Sequence, residues 1–189
     1  MIYKKSWKYI LCKDTTPCCT EFSYYRLKSL KEFGDVKKGD IGGYIRKYNN
    51  LSQTGDCWVY ENAMITDDAL ISENAKIFGS SFISDNARIT GNAKIYDCTK
   101  VYHNSYITGN TVIKGFVSIS SNAEISGNVI IKDFARVSGK VSGNVEISEN
   151  VIVCSNTVLS GNTKFDIQRI PSRPKRMQTH RCKRPCWAG

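Results

Sequence analysis

Histidine is nearly absent from this chain of 189 residues: it occurs only at positions 103 and 180. That scarcity argues against a histidine-built metal centre or an extended acid–base relay. Proline is almost as rare, and three of the four prolines fall after position 170. No apolar run approaches the 18 or more residues of a spanning helix, so no membrane partner is expected. The basic start, Met1 to Cys12, has too short an apolar stretch for a secretory signal, and a cytoplasmic location is expected. The eight cysteines (Cys12, Cys18, Cys19, Cys57, Cys98, Cys154, Cys182 and Cys186) are then expected as free thiols in a reducing compartment. Neither Cys18-Cys19 nor the His180, Cys182, Cys186 cluster has the paired C-x-x-C spacing of a zinc site, so no metal is expected.

What the chain does contain is a period of six. From Val59 an aliphatic residue recurs at Ile65, Ile71, Ile77, Ile83 and every sixth position to Val137, and again at Ile147, Val153, Leu159 and Phe165. A small or β-branched residue sits two places before each of these 18 anchors, and Asn three places before 12 of them. Six is not a multiple of 3.6, so the anchors would wander around a helix, and Asn, Gly, Ser and β-branched residues are poor helix formers. A short strand followed by a corner satisfies the pattern: the aliphatic residue is buried, its neighbours face outward, and Asn or Gly takes the corner in a left-handed backbone conformation. Three strands close a triangular coil of 18 residues, and coils stack at the strand spacing of about 4.8 Å. The expectation is an all-β, single-stranded parallel β-solenoid of six to seven coils.

Two breaks in the period locate irregular coils. Val137 to Ile147 is ten residues where two hexads need twelve, so Ser138–Asn144 should shorten a corner or strand. Leu51 to Val59 is eight, which predicts a two-residue bulge at Gln53–Asp56 and a solenoid beginning near Ile41. An exposed solenoid end presents unpaired strand edges. Lys5–Cys12 and Phe22–Leu30, separated by the turn-like Lys13–Pro17, read as a β-hairpin that supplies the cap.

The repeat, matched for example by Ile65-Thr66-Asp67-Asp68-Ala69-Leu70, resembles the hexapeptide repeat of left-handed parallel β-helices, and the left-handed sense is what that resemblance implies. The lead-in Phe33–Tyr44, with Asn50–Gln53 and Gly55–Tyr60, is similar to that of β-helical bacterial and bacteriophage proteins labelled acetyltransferases or polymer-forming proteins by their repeats. The resemblance covers about residues 5–165 and implies an architecture far more than an activity. The domain expectation is an N-terminal β cap at 1–44, the hexapeptide-repeat β-helix at 45–167 and a basic, disordered tail at 168–189.

Charge divides along the same lines: residues 1–58 carry +5, residues 59–167 carry −2 and residues 168–189 carry +7 with no acidic residue. The tail cations Arg169, Arg173, Lys175, Arg176, Arg181, Lys183 and Arg184 suit nucleic acid or another polyanion, held by phosphate neutralisation and counterion release. Within the repeat, sorting outward residues by steps of 18 gives one face an aromatic row, Tyr60, Phe78 and Tyr96, continued by Lys114 and Lys132. A parallel row carries Trp58, Lys76 and Lys94. Stacked aromatics stabilise a parallel sheet, and aromatics edged by lysines also suit a protein partner or self-association.

Resemblance to hexapeptide acyltransferases implies a catalytic histidine at a coil edge and acetyl-CoA in a groove between subunits. Only His103 is placed for that role, in Tyr102-His103-Asn104, and the hexads around it run on without an inserted loop to close a pocket. The expected function is therefore a non-catalytic binding or scaffold protein, of phage or mobile-element descent by resemblance, with no cofactor. Acetyl-CoA enters only under the acyltransferase alternative.

Overall fold

The computed structural model describes residues 7–13 and 23–166. It is an all-β parallel solenoid with three faces and seven levels. The anchors of the first face are Ile45, Ile65, Ile83, Val101, Ile119, Val137 and Val153, each paired in register with the next. Leu51, Ile71, Ile89, Ile107, Ile125, Val141 and Leu159 line the second. Val59, Ile77, Ile95, Ile113, Ile131, Ile147 and Phe165 line the third. The Ile and Val anchors from Ile65 to Ile147 are fully buried, as are Ala63, Ala69, Ala75, Ala87, Ala93, Ala123 and Ala135 two places earlier. Burying one such aliphatic side chain is worth about 1.5–3 kcal/mol, and the small residue beside it leaves room for the three anchors of a level to meet on the axis.

Most solenoid strands are only two residues long, so the ladder rather than the strand is the unit of structure. Amides donate from one level to the next, as in Tyr60 N–H to Ile77 O, Phe78 N–H to Ile95 O and Tyr96 N–H to Ile113 O, each 2.8 Å. The irregular levels fall where the period breaks. Both Ile45–Ile65 and Leu51–Ile71 span 20 residues while Val59–Ile77 spans 18, which puts the two extra residues between Leu51 and Val59. Near the other end Arg136 pairs with Ile152 and Glu124 with Lys140, offsets of 16. The missing pair belongs to the corner at Ser138-Gly139, and Val141 is the second-face anchor of that level, four residues after Val137 rather than six.

The corners correct one detail of the sequence reading. Asn does not occupy the left-handed position. The place before it does: Glu61, Asp67, Glu73, Asp85, Asp97, His103, Ser121, Asp133 and Glu149 have φ between 52° and 65°, and glycines such as Gly79, Gly91, Gly109 and Gly127 take the same place at other corners. Where Asp or Glu stands there, its carboxylate accepts the backbone N–H of the residue one level on, as Glu61 does from Gly79 (2.6 Å) and Asp97 from Gly115 (2.8 Å). That bond compensates part of the steric cost of a left-handed L-residue. The following Asn is freed to bond along the axis. Asn74, Asn92, Asn110, Asn128, Asn144 and Asn162 form one continuous amide ladder, each Nδ2 donating to the next Oδ1 at 2.6–3.0 Å.

Strand β1 (Tyr9–Lys13) pairs antiparallel with β2 (Tyr25–Ser29), which pairs antiparallel with β3 (Ile41–Ile45). β3 in turn pairs parallel with Met64–Ile65, so the hairpin extends the first face and β3 is shared by cap and coil. The cap also covers the first level's upward carbonyls with side-chain donors. Lys8 Nζ donates to the carbonyls of Gly55 (3.2 Å) and Cys57 (2.9 Å), Tyr9 OH to that of Leu51 (2.6 Å), and an Arg26 guanidinium N–H to Gly42 (3.1 Å) and Glu61 (2.5 Å). Lys8 is buried, and that burial pushes its pKa below the ordinary lysine value despite the compensating closeness of Cys57 and Asp56.

At the corner of the amide ladder, a Cβ on Gly109 (φ 76°) would lie 2.6 Å from Gly127 N, a backbone atom of the next level that cannot swing aside. Gly109→Val is therefore expected to lower stability by about 2 kcal/mol or more. Urea unfolding followed by far-ultraviolet circular dichroism would show this as a lower midpoint.

Candidate functional site

On the third face, register converts sequence positions 18 apart into direct neighbours. The rings of Tyr60, Phe78 and Tyr96 stack with centroids 4.3 and 4.7 Å apart and planes within 13° and 5°. All three are half-buried, because each ring covers the next. The top of the stack is tied to the lead-in segment: Tyr60 OH donates to Asp35 Oδ1 at 2.7 Å, and Lys76 pairs with the same oxygen. Burial works against ionised Asp35, but the hydrogen bonds from Lys76 and Tyr60 outweigh it and hold the carboxyl below its usual range. Burial and then the Asp35 carboxylate push the Tyr60 phenol well above its usual value.

The lysines of this face separate into two groups. Lys76 is committed to Asp35, and Lys132 to Glu146 at 2.9 Å, with Lys164 3.4 Å from the same carboxylate. Lys94 and Lys114 are exposed and have no ion-pair partner among the described residues. Trp58 departs from the expectation of an outward aromatic. It occupies the row of Lys76 and Lys94 but is 1% exposed, edge-on to Phe33 at 5.5 Å and to Tyr9 at 6.2 Å. The cause is the cap: β3 crosses the indole so closely that a Cβ on Gly42 would come within 2.7 Å of it. Trp58 is core, and the accessible row begins at Lys76.

His103 sits at a corner with φ 58°. Its amide N–H donates to Asp85 Oδ2 at 2.7 Å, and its Nδ1 accepts the Ser121 N–H at 3.2 Å. These are the bonds that an Asp makes at this position in the levels above, so the imidazole serves as a corner clasp between levels. Sequence periodicity alone gave no sign of this, because the clasping role depends on which corner residue precedes the Asn.

The tail residues Arg169, Arg173, Lys175, Arg176, Arg181, Lys183 and Arg184, with His180, Cys182 and Cys186, lie outside the described residues, as do Cys18 and Cys19. Among the described residues Cys12, Cys57 and Cys98 are free thiols, no cluster of three metal-ligating side chains occurs, and no helix is long and apolar enough to cross a membrane.

Two comparisons bear on this geometry. A family model described as bactofilin, polymer-forming cytoskeletal, matches residues 81–172, just under half of the chain and most of its regular coils. The uncharacterized acetyltransferase YdcK of Escherichia coli (strain K12) is 40% identical over 53 residues, 28% of this chain. That segment is only 16% of YdcK, so the chain spans a small part of that relative. The chain is a hexapeptide-repeat β-helix resembling proteins labelled polymer-forming or acetyltransferase.

The Asp35 carboxyl, depressed by its partners, adds stability that is present above the unfolded-state value near pH 4 and is lost as pH falls through its lower folded-state value. Asp35→Asn is therefore expected to melt below the wild type at neutral pH, with the gap closing as pH is lowered to about 3. Thermal unfolding across that range checks it. The effect is modest, because Asp35 is largely exposed and screened.

Proposed function

We propose that this chain is a non-catalytic scaffold that associates with copies of itself through the Phe78, Tyr96, Lys94 and Lys114 surface of its third face. The observation that carries the reading is the unbroken coil run: from Val59 to Phe165 the described chain passes from strand to corner to strand with no inserted loop. Such a chain builds long, stiff walls of repeated groups, the geometry of a structural element. Its resemblance to a polymer-forming family over residues 81–172 supports that use. Half-buried rings beside exposed lysines give the face apolar area to lose and charge to set its register. Free thiols at Cys12, Cys57 and Cys98 suit a reducing compartment, and the cytoplasm is the compartment we assign.

The full chain should sediment as species larger than a monomer, increasing over a roughly hundredfold concentration range. Tyr96→Glu should shift that distribution toward monomer while leaving the far-ultraviolet spectrum unchanged. A strict monomer throughout would sink the proposal. So would acyl-CoA turnover abolished by His103→Ala, the outcome that the acetyltransferase-named relative would favour and that makes acetyl-CoA the cofactor.

A second reading rests on the +7 charge of residues 168–189, which favours a polyanion such as nucleic acid. Retention of the full chain on single-stranded DNA should then fall steeply with salt and be lost on deleting residues 168–189. Weak retention with a shallow salt dependence would leave the tail without this role.

A further inference from the structure

The first face carries a depression that neither the scaffold reading nor the comparisons explain. It has a volume of about 640 Å³ and is floored by Ser118, Ser120 and Ser138. Two features of the sequence hollow it out. Two consecutive levels place three serines, Ser118 and Ser120 in one and Ser138 in the next, in the outward rows where levels above and below carry Phe82, Lys100, Tyr102 or Ile152. The shortened corner at Ser138-Gly139 also withdraws the wall at one edge, while Ser155 and Asn156 of the last level stand at its lower margin.

Its lining combines three kinds of group. Lys100, Ser118 and Arg136 are register partners in one column, so two cations flank a serine from the levels above and below, their Cα atoms about 10 Å apart. Side chains of that length can converge on an anion seated over Ser118, where a guanidinium offers a forked pair of donors. The second group is a line of hydroxyls: Tyr102 OH lies 3.2 Å from Ser118 Oγ, and Ser120 Oγ 3.1 Å from Ser138 Oγ. The third is Phe116, 63% exposed at the adjoining corner and stacked on Phe134 with centroids 5.5 Å apart and planes within 7°. This two-ring stack ends at Phe116, because the same corner position one level earlier is the small Cys98, which also lines the depression. One more planar ring can continue the stack there. The acidic neighbours at this corner, Asp97 and Asp133, direct carboxylate oxygens to the Gly115 N–H (2.8 Å) and the Glu149 N–H (3.0 Å), and neither lines the depression.

From this arrangement we propose that the depression binds a nucleoside monophosphate, its base stacked on Phe116 over Cys98 and its phosphate held over Ser118 by Lys100 and Arg136. Phe116 at the corner and Ser118 at the start of the strand are two residues apart, at most about 7 Å, a gap that the sugar between base and phosphate spans. Ser120 and Ser138 lie beyond Ser118, where their hydroxyls extend the polar floor on the far side of the phosphate. A bare anion would use only the cations, and a bare aromatic ring only the phenylalanine.

Calorimetric titration of the full chain with adenosine monophosphate, adenosine and inorganic phosphate separates these contributions. Adenosine monophosphate should bind saturably, with a Kd of about 1 mM or tighter, and adenosine and phosphate each at least about tenfold more weakly. Phe116→Ala should weaken the nucleotide about fivefold or more, and Arg136→Gln likewise. Phe116 is so exposed that its loss should leave the melting temperature unchanged, and Ser118→Leu, which fills the floor, gives an independent block. Arg88→Gln on the second face, away from both surfaces, should leave the affinity as it is. The proposal is overturned by the absence of saturable binding, by phosphate binding as tightly as the nucleotide, or by affinity that survives both Phe116→Ala and Ser118→Leu. Retention of nucleotide only through residues 168–189, lost on their deletion and untouched by Phe116→Ala, would overturn it equally.

Discussion

The structure depends on one constraint: a residue and its counterpart in the next level must lie directly over each other. Because the levels are parallel and in register, each side chain meets its counterpart one level on, and where the two are alike the interaction is repeated down the molecule. Inside, this yields columns of Ile and Val with Ala beside them. At the third corner it yields the asparagine ladder, whose interior amides each donate and accept once. Exposed bonds of this kind contribute little individually, but a chain of them can polarise cooperatively, and any slip in register would break all of them together. The ladder is thus better understood as a device that fixes register than as a large source of stability.

Stacking also fixes where the fold is vulnerable. Each level touches only its neighbours, so stability is a sum of nearest-neighbour terms and an end level lacks one of them. The N-terminal end answers this with polar chemistry as well as apolar cover. Carbonyls that would face open solvent or an apolar lid receive donors from Lys8, Tyr9 and Arg26, while Trp58, Tyr9 and Leu27 close the apolar axis. A buried lysine is costly in itself, which is why its ammonium is committed to backbone carbonyls. The cap explains why the first turn has 20 residues: the two extra ones sit between Leu51 and Val59, beside Gln53, whose side-chain oxygen accepts the Lys8 amide at 2.8 Å.

The period of six was enough to read the solenoid, the three-face sorting, the stacked Tyr60, Phe78 and Tyr96, and the two irregular turns. Those features depend only on spacing, and spacing is carried by every hexad. Four things were not legible. The burial of Trp58 depends on where the cap lies, and the cap follows no repeat. The left-handed position belongs to the residue before Asn, a distinction of one place that the consensus Asp/Glu/Gly-Asn blurs because both residue types suit corners. The role of His103 as a clasp follows from that same one-place shift. The serine-floored depression was hidden because it arises from absence of bulk across two levels, and a search for conspicuous residues passes over serine.

A perfectly periodic wall has no unique address, since any group that binds at one level binds at each of the others. Discrimination along such a wall requires a break in the period. Here the break is the 16-residue turn. It removes two residues from the corner between the first and second faces, so the ladder Asn86, Asn104, Asn122 ends there, while the third-corner ladder steps from Asn128 to Asn144 and continues to Asn162. Register is preserved on one edge and interrupted on another within the same level. The depression lies against the interrupted edge, and the cations that flank it belong to the levels on either side of Ser118. A deletion of two residues has thereby given a repetitive surface one place unlike the rest without loosening the ladders that hold it.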